Sequence, residues 1–274
     1  PGHRYRMNRR TFLVCSAGAV ASLGHSAGAP SSLQGEVGIT TGSFTRHLAA
    51  EAAPGKLRLL DLPRLMRDEL DLKVIDLMTA TLVSLQPAYL ERLRGAAADA
   101  GCVLSNLKIN FNQANLGHPD RVQRRAALYE FKGAFDAAVR LGVRWVRPLP
   151  GVRRADLPHI AESYRELCDH AAARGLTVLV ENIGWMKDDP AGIPDLIREV
   201  GPRLRAQPDT GNWSDAVRYE GLARAFPHAV SCDFKAMTLA PDATHPAYDL
   251  ARCFDLGWKA GFRGPWLIEH FHAD

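Results

Sequence analysis

Four acidic side chains stand at or near the ends of short apolar segments in the C-terminal half of the chain. They are Glu181 in VLVEN, Asp209 in PDTGN, Asp233 in SCDFK and Glu269 in WLIEH. Carboxylates that share one small pocket raise one another's pKa, or they require a cation. Oxygen ligands favour a hard divalent ion such as Mg²⁺ or Mn²⁺. If the fold brings the four acids together, the sequence therefore predicts a divalent metal site.

The apolar segments that precede these acids alternate with segments of helical periodicity from residue 35 onward. Short runs bounded by Gly, Pro or Asp predict strands, and longer runs with a 3.6-residue repeat predict helices. We predict strands at Glu36–Thr40, Val74–Met78, Val103–Ile109, Trp145–Pro148, Thr177–Glu181, Leu204–Pro208, Ala229–Phe234 and Trp266–Glu269. Runs that are apolar throughout suit parallel strands that are buried on both faces.

Eight strands that alternate with helices predict an α/β fold, a closed (β/α)8 TIM barrel. An open doubly wound sheet is the alternative, but no glycine-rich GxGxxG turn follows the first strand. Few residues follow the eighth strand, so we expect the final helix to be missing or truncated. Working residues of such barrels lie at the C-terminal ends of the strands, and the four acids would therefore converge on one mouth.

Other residues near the predicted strand ends are candidates for contact with a substrate. Lys235 lies two residues after Asp233, on the same face of its strand, and would serve as an extra acid or a substrate ligand. The remaining candidates are Arg147, Asn212, Trp213, His270 and Lys108. Trp213 would form an apolar wall against a sugar ring, although buried packing is the usual role of tryptophan.

The segments VLVEN, PDTGNW and WLIEH resemble the strand 5, 6 and 8 signatures of the sugar phosphate isomerase/epimerase family, within the xylose isomerase-like TIM barrel superfamily. The resemblance runs from about Gly35 to the end. It implies a metal held by Glu181, Asp209, a strand 7 residue and Glu269. Where the family has His-x-Lys-Asp on strand 7, this chain has Asp233 first. This exchange makes the site harder and favours Mn²⁺ or Mg²⁺, with Co²⁺ or Zn²⁺ as alternatives.

The resemblance implies a metal-dependent isomerase or epimerase that abstracts a proton next to the carbonyl of a sugar or cyclitol-like substrate. Glu181 and Glu269 would be the acid/base pair, with Lys235 as a third catalytic group. A lyase or dehydratase acting on a keto-sugar or keto-glycoside is an alternative, as is a non-catalytic sugar-binding barrel that has lost its metal. The oligomeric state stays open, a homo-oligomer included.

The first 29 residues resemble a twin-arginine leader. Arg9-Arg10 precedes a modest apolar stretch and an Ala27-Gly28-Ala29 cleavage pattern. We therefore expect a leader at 1–29, a barrel domain at 35–274 and a periplasmic or secreted protein. The apolar stretch is too short to span a bilayer.

Charge and cysteine usage exclude other classes of protein. The net charge is only +4, and no basic stripe with interleaved aromatics is present. We therefore expect no nucleic-acid partner, and an endonuclease IV-like hydrolase is disfavoured. The four cysteines beyond the leader form no CxxC pair, so we expect them to be buried small hydrophobic residues.

Overall fold

The computed structural model describes residues 33–151, 156–242 and 244–271. Eight parallel strands form one curved sheet within these residues. They are β1 (Val37–Thr40), β2 (Val74–Met78), β3 (Val103–Ile109), β4 (Trp145–Pro148), β5 (Thr177–Val180), β6 (Leu204–Ala206), β7 (Cys232–Lys235) and β8 (Trp266–Glu269). Neighbouring strands pair in the order β6-β5-β4-β3-β2-β1-β8-β7. The alternation that we read in the sequence is therefore confirmed.

The two ends of the sheet meet between β6 and β7. Isolated parallel bridges join Ala206 to Ala229 and Asp209 to Asp233. The backbone amide of Asp233 donates to the Pro208 carbonyl at 2.9 Å, and the amide of Thr210 donates to the Asp233 carbonyl at 3.0 Å. This seam closes the barrel at the level of two of the predicted metal ligands.

Seven α-helices cover the outside of the sheet in the described part of the chain. They are α1 (Leu62–Leu70), α2 (Pro87–Asp99), α3 (Arg121–Leu141), α4 (Leu157–Ala172), α5 (Gly192–Val200), α6 (Arg218–Ala225) and α7 (Leu250–Lys259). The longest, α3, begins where the Asp120 side chain accepts a hydrogen bond from the Val122 amide at 2.8 Å. It ends at Gly142, whose φ of 73° is the left-handed conformation that favours glycine.

Some predicted boundaries differ from the structure by a few residues. The predicted strand Leu204–Pro208 ends at Ala206, because the chain continues into the seam through isolated contacts instead of a regular ladder. The seventh strand begins at Cys232 and not at Ala229 for the same reason. The sixth helix begins at Arg218, after a turn in which the Val217 amide donates to the Ser214 carbonyl.

Apolar packing lies mainly between the sheet and the helices. Phe131 and Phe135 of α3 and Leu167 of α4 are fully buried there, and each contributes about 1.5–3 kcal/mol relative to an exposed position. A small apolar cluster of Leu33, Val74 and Leu267 closes the N-terminal end of the barrel interior. The opposite end is polar and carries the candidate site.

The cysteines and the helix lengths agree with the sequence reading. Cys102, Cys168, Cys232 and Cys253 are buried and unbridged, as predicted. Within the described ranges, every helix is too short or too polar to cross a bilayer. The leader predicted at 1–29 lies outside the described residues.

Candidate metal and substrate site

The four predicted acids meet at the C-terminal mouth of the barrel. Glu181 directly follows β5, Asp209 lies on the seam after β6, Asp233 is the second residue of β7, and Glu269 ends β8. Their exposed fractions are 3%, 0%, 0% and 4%. Four carboxylates are thus withdrawn from solvent, which is costly unless each is paired or coordinates a cation.

Three of these acids form a group with the spacing of metal ligands. Glu181, Asp209 and Asp233 each offer one carboxylate oxygen, and these oxygens lie within 4.8 Å of one another. The Oδ2 atom of Asp233 is buried and has no hydrogen-bond partner among the described residues. An acid that keeps one unpartnered buried oxygen and groups with two other carboxylates fits the donor set of a hard divalent ion.

Glu269 is not one of this group of three and is held by two lysines. Its Oε1 is 3.4 Å from the Lys108 ammonium, and its Oε2 is 3.0 Å from the Lys235 ammonium. The prediction that Glu269 is a metal ligand stays a prediction, because its two oxygens already face these cations.

Lys108 lies inside the barrel beneath the carboxylates. Its ammonium is 2.8 Å from Asp233 Oδ1 and 3.9 Å from Asp76 Oδ2, in addition to its contact with Glu269. The side chain is 1% exposed. Lys108 was predicted to bind substrate, but here it is engaged entirely by carboxylates of the protein.

Lys235 approaches the site from the side of β7 and retains some exposure. Its ammonium is 2.7 Å from Asp209 Oδ2 and donates to Asn212 Oδ1 at 2.7 Å. The stem lies against the backbone of Gly211, where an added Cβ atom would stand 2.5 Å from Lys235 Cδ. Tyr248 fixes the same strand end by donating to the Lys235 carbonyl at 2.5 Å.

Glu181 is oriented by one cation and one amide. The Nε atom of Arg147 is 3.0 Å from Glu181 Oε2, and Asn212 Nδ2 donates to Glu181 Oε1 at 2.7 Å. Arg147 is itself buried, and its Nη1 atom has no hydrogen-bond partner among the described residues. Arg147 and Asn212, both predicted as substrate ligands, therefore stand at the site and also hold one of its acids.

Trp213 and His270 point to other neighbours. Trp213 is 2% exposed and packs on Gly221 of α6, where an added Cβ atom would stand 2.4 Å from the indole. His270 Nδ1 lies 2.6 Å from the Ala236 carbonyl oxygen, and its backbone amide donates to Ser43 Oγ at 2.9 Å. That Trp213 and His270 contact a substrate stays a prediction. Their packing partners in the structure do not add support to it.

A polar layer under the site was not singled out from the sequence. Gln207 Nε2 donates to Asp76 Oδ2 at 2.8 Å and to Asp233 Oδ1 at 3.2 Å, while Asn106 Nδ2 donates to Gln207 Oε1 at 3.0 Å. All four side chains are fully buried. A sequence clue existed, because an acid within the apolar run VIDLM requires an internal partner.

The pKa values of the site reflect the burial of its acids and their contacts with the two lysines. Burial raises the pKa of Asp209 to about 7, against the opposing effect of Lys235. Burial also raises the pKa of Asp233 well above its usual range, although Lys108 opposes this shift. Burial alone would raise the pKa of Glu269, but Lys108 and Lys235 outweigh it and lower that pKa to about 2.

The ion pairs of the site join five carboxylates to three cations. The acids are Asp76, Glu181, Asp209, Asp233 and Glu269, and the cations are Lys108, Arg147 and Lys235. When all of them are ionised, two negative charges remain, and one divalent ion neutralises them. The charge balance, the spacing and the unpartnered oxygen of Asp233 therefore all fit a divalent metal.

Comparison with solved structures places the chain among related barrels. The structure of D-psicose 3-epimerase with D-tagatose from Clostridium cellulolyticum H10 has a TM-score of 0.66 at 15% identity, with 85% of this chain and 84% of that chain covered. The apo form of 3-keto-D-glucoside 4-epimerase from E. coli has a TM-score of 0.65 at 13% identity, with 87% and 93% covered.

A xylose isomerase-like TIM barrel protein from Mycobacterium smegmatis, solved in complex with magnesium, has a TM-score of 0.62 at 18% identity, with 87% of this chain and 91% of that chain covered. At such identities these likenesses establish the fold alone.

No curated protein sequence matches the chain significantly. The sequence profile described as xylose isomerase-like TIM barrel matches residues 68–273. The chain therefore belongs to the xylose isomerase-like TIM barrel family.

Proposed function

We propose that this protein is a divalent-metal-dependent isomerase or epimerase that moves a proton next to the carbonyl of a carbohydrate-like substrate. One observation carries the proposal. Acids from four successive strand ends meet at one buried mouth, and three of them offer oxygens within 4.8 Å of one another. The solved epimerases with this fold agree with such chemistry.

Glu181, Asp209 and Asp233 would hold the ion, with Glu269 as a further ligand if its lysine contacts rearrange. When bound, a divalent ion supplies Lewis-acid polarisation of the substrate carbonyl. Mn²⁺ or Mg²⁺ suits this set best, because all the donors are oxygens.

The two glutamates are the proposed acid/base pair. Glu181 is held by Arg147 and Asn212, and Glu269 is held between two lysines. Held in this way, one carboxylate removes the proton and the other returns it. Lys235, whose side chain is 14% exposed and next to Glu269, binds a substrate oxygen or donates a proton to it.

The pairing of the cations supports the proposal of an uncharged substrate. Lys108, Lys235 and Arg147 each contact at least one carboxylate of the site. With one divalent ion bound, the joined groups are neutral, so a phosphate dianion would find no unpaired cation. We therefore propose a free sugar, a keto-glycoside or a cyclitol as the substrate.

Proton exchange with solvent tests this function directly. The Mn²⁺-loaded protein is incubated in D₂O with D-fructose, D-tagatose and D-fructose 6-phosphate, and NMR follows loss of the hydrogens next to the carbonyl. We expect exchange into at least one free ketose and a slower rate with the phosphate ester. Exchange that is confined to the phosphate ester would contradict the uncharged substrate, and exchange without dependence on Mn²⁺ would contradict the metal.

A sugar-binding barrel without metal is the second candidate. The observation in its favour is that two lysines already occupy positions against Asp209, Asp233 and Glu269. Titration of the purified protein with Mn²⁺ separates the two functions. Saturable binding of one ion favours the enzyme, whereas ketose binding with no uptake of Mn²⁺ favours the second candidate.

We also propose export by the twin-arginine route, because Arg9-Arg10 precedes an apolar stretch and an A-x-A pattern. Replacement of both arginines by lysine should block export of a reporter fused to residues 1–32. Continued export of the doubly substituted fusion would contradict the assignment.

A further inference from the structure

The two carboxylate oxygens of Asp233 have different surroundings. Oδ1 lies 2.8 Å from the Lys108 ammonium and accepts a hydrogen bond from Gln207 Nε2 at 3.2 Å. Oδ2 is buried and has no hydrogen-bond partner among the described residues. The side chain is 0% exposed, so bulk solvent does not satisfy Oδ2 either.

The amide of Gln207 is held in the orientation that this contact needs. Its Oε1 accepts from Asn106 Nδ2 at 3.0 Å, and its Nε2 also donates to Asp76 Oδ2 at 2.8 Å. A flipped amide would turn its oxygen toward two carboxylates and its NH₂ group toward the amide of Asn106. Gln207 can therefore present only a donor to Asp233.

We propose that Lys108 and Gln207 are positioning residues that make Asp233 a one-oxygen ligand for the divalent ion. A free carboxylate binds a metal through one oxygen or through both and rotates between these modes. With Oδ1 engaged by two donors, only Oδ2 is left for the ion that Glu181 and Asp209 also face. This inference rests on the metal site of the proposed function.

The geometry also explains why Lys108 is fully buried. A lysine that bound substrate would need a path to the mouth of the barrel, but the Lys108 ammonium is surrounded by Asp76, Asp233 and Glu269. Its charge offsets part of the anionic cluster, and its contact with Oδ1 fixes the rotation of the Asp233 carboxylate. Partners that orient a ligand in this way typically change metal affinity by about 10- to 100-fold.

A double-mutant cycle on Mn²⁺ affinity tests the proposal. The metal-free wild type, Gln207→Met, Asp233→Ala and the double variant are titrated with Mn²⁺, and the EPR amplitude of free Mn²⁺ gives each Kd up to the millimolar range. We expect Gln207→Met, which keeps the side-chain volume but removes the donor, to weaken binding by about 10- to 100-fold. In the Asp233→Ala background the same substitution should change Kd by less than about threefold, because its target oxygen is gone.

The matched control is Thr81→Val, which removes a buried hydroxyl that bonds Thr41 and the Met78 carbonyl and does not touch Asp233. It should leave the Mn²⁺ Kd unchanged. A second cycle with Lys108→Met, read in the same two backgrounds, decides the matter if Gln207→Met does not fold.

Equal losses of affinity in both backgrounds would overturn the positioning role and leave the metal site standing. A wild type that binds no Mn²⁺ would overturn the metal site and this inference together.

Discussion

Each acid at the barrel mouth is paired with particular donors, and these pairings decide what each acid can do. Glu181 is held by Arg147 and Asn212, whereas Glu269 bridges Lys108 and Lys235. Glu269 therefore remains ionised despite its burial, since the lysines lower its pKa to about 2. Two carboxylates in one pocket thus have different surroundings, which is the arrangement that separates the two roles of an acid/base pair.

Substitution of either glutamate tests these roles at the level of single atoms. Glu181→Gln and Glu269→Gln keep the shape of the side chain but remove the group that accepts the proton. We expect each to lower the rate of solvent exchange into a ketose substrate by about 10²- to 10⁴-fold, with little loss of thermal stability in the metal-free protein. The control is Glu166→Gln, an exposed residue paired with Lys132. A wild-type rate in either variant would remove that glutamate from the mechanism.

A second prediction for a single residue concerns Gly211, whose lack of a side chain leaves room for Lys235. An added Cβ atom would stand 2.5 Å from Lys235 Cδ and 2.9 Å from Tyr248 Oη. Gly211→Ala should therefore displace the Lys235 ammonium from Asp209 and Glu269 and lower the exchange rate by about 10- to 100-fold. Gly95→Ala in α2, where an added Cβ meets nothing within 4 Å, is the control. Equal rates in the two variants would show that Lys235 needs no fixed position.

Among the elements, the seam between β6 and β7 and the packing of α6 position the site. The seam carries Asp209 and Asp233 as bridge partners, so their separation is set by backbone pairing. Helix α6 packs against Trp213, which lies a few residues after Asp209. The loop that carries Asp209, Gly211 and Asn212 is thereby fixed at its strand end and at its helix end.

The space around two helical glycines predicts that their substitution changes the free energy of unfolding in opposite directions. An added Cβ atom at Gly221 would stand 2.4 Å from the Trp213 ring, so Gly221→Ala should lower the free energy of unfolding by about 1–3 kcal/mol. Gly133→Ala in α3, where an added Cβ meets nothing within 4 Å, should raise it by about 0.5–1 kcal/mol. Urea denaturation measures both. A stabilising Gly221→Ala would contradict the close packing.

For the whole molecule, the closed barrel buries carboxyl groups whose charged forms are unfavourable without a cation. Asp209 and Asp233 have raised pKa values because their charged forms are buried. A carboxyl whose pKa is higher in the folded than in the unfolded protein stabilises the fold only while it is protonated. That contribution is complete below the unfolded pKa of about 4 and is lost as the pH rises through the folded value.

The pH dependence of stability follows from this sign. The metal-free protein should unfold at a lower temperature at pH 8 than at pH 5.5, because the pKa of Asp209 is about 7. Mn²⁺ should raise the unfolding temperature more at pH 8, since binding displaces protons. Asp209→Asn should flatten the metal-free profile. Thermal unfolding with and without Mn²⁺ measures all three. A metal-free melting temperature that does not fall between pH 5.5 and 8 would contradict the raised pKa of Asp209.

Much of the fold could be predicted because strand and helix periods are local properties. The strands at Val74–Met78, Val103–Ile109, Trp145–Pro148 and Trp266–Glu269 were predicted with the bounds that the structure has. Boundaries shifted near the β6–β7 seam, where pairing across the closure decides which residues form a regular ladder. No local pattern reports such a closure.

The sequence by itself determined the alternation of elements and the four acids near the ends of strands, because both follow from residue types and their spacing. Only the tertiary structure decided which partners those acids meet. In the structure, Lys108 and Gln207 contact Asp233, and Glu269 pairs with two lysines. Trp213 packs against α6. The physical reason is that these contacts join residues on different strands and helices, and such distances depend on barrel closure and side-chain packing and not on spacing along the chain.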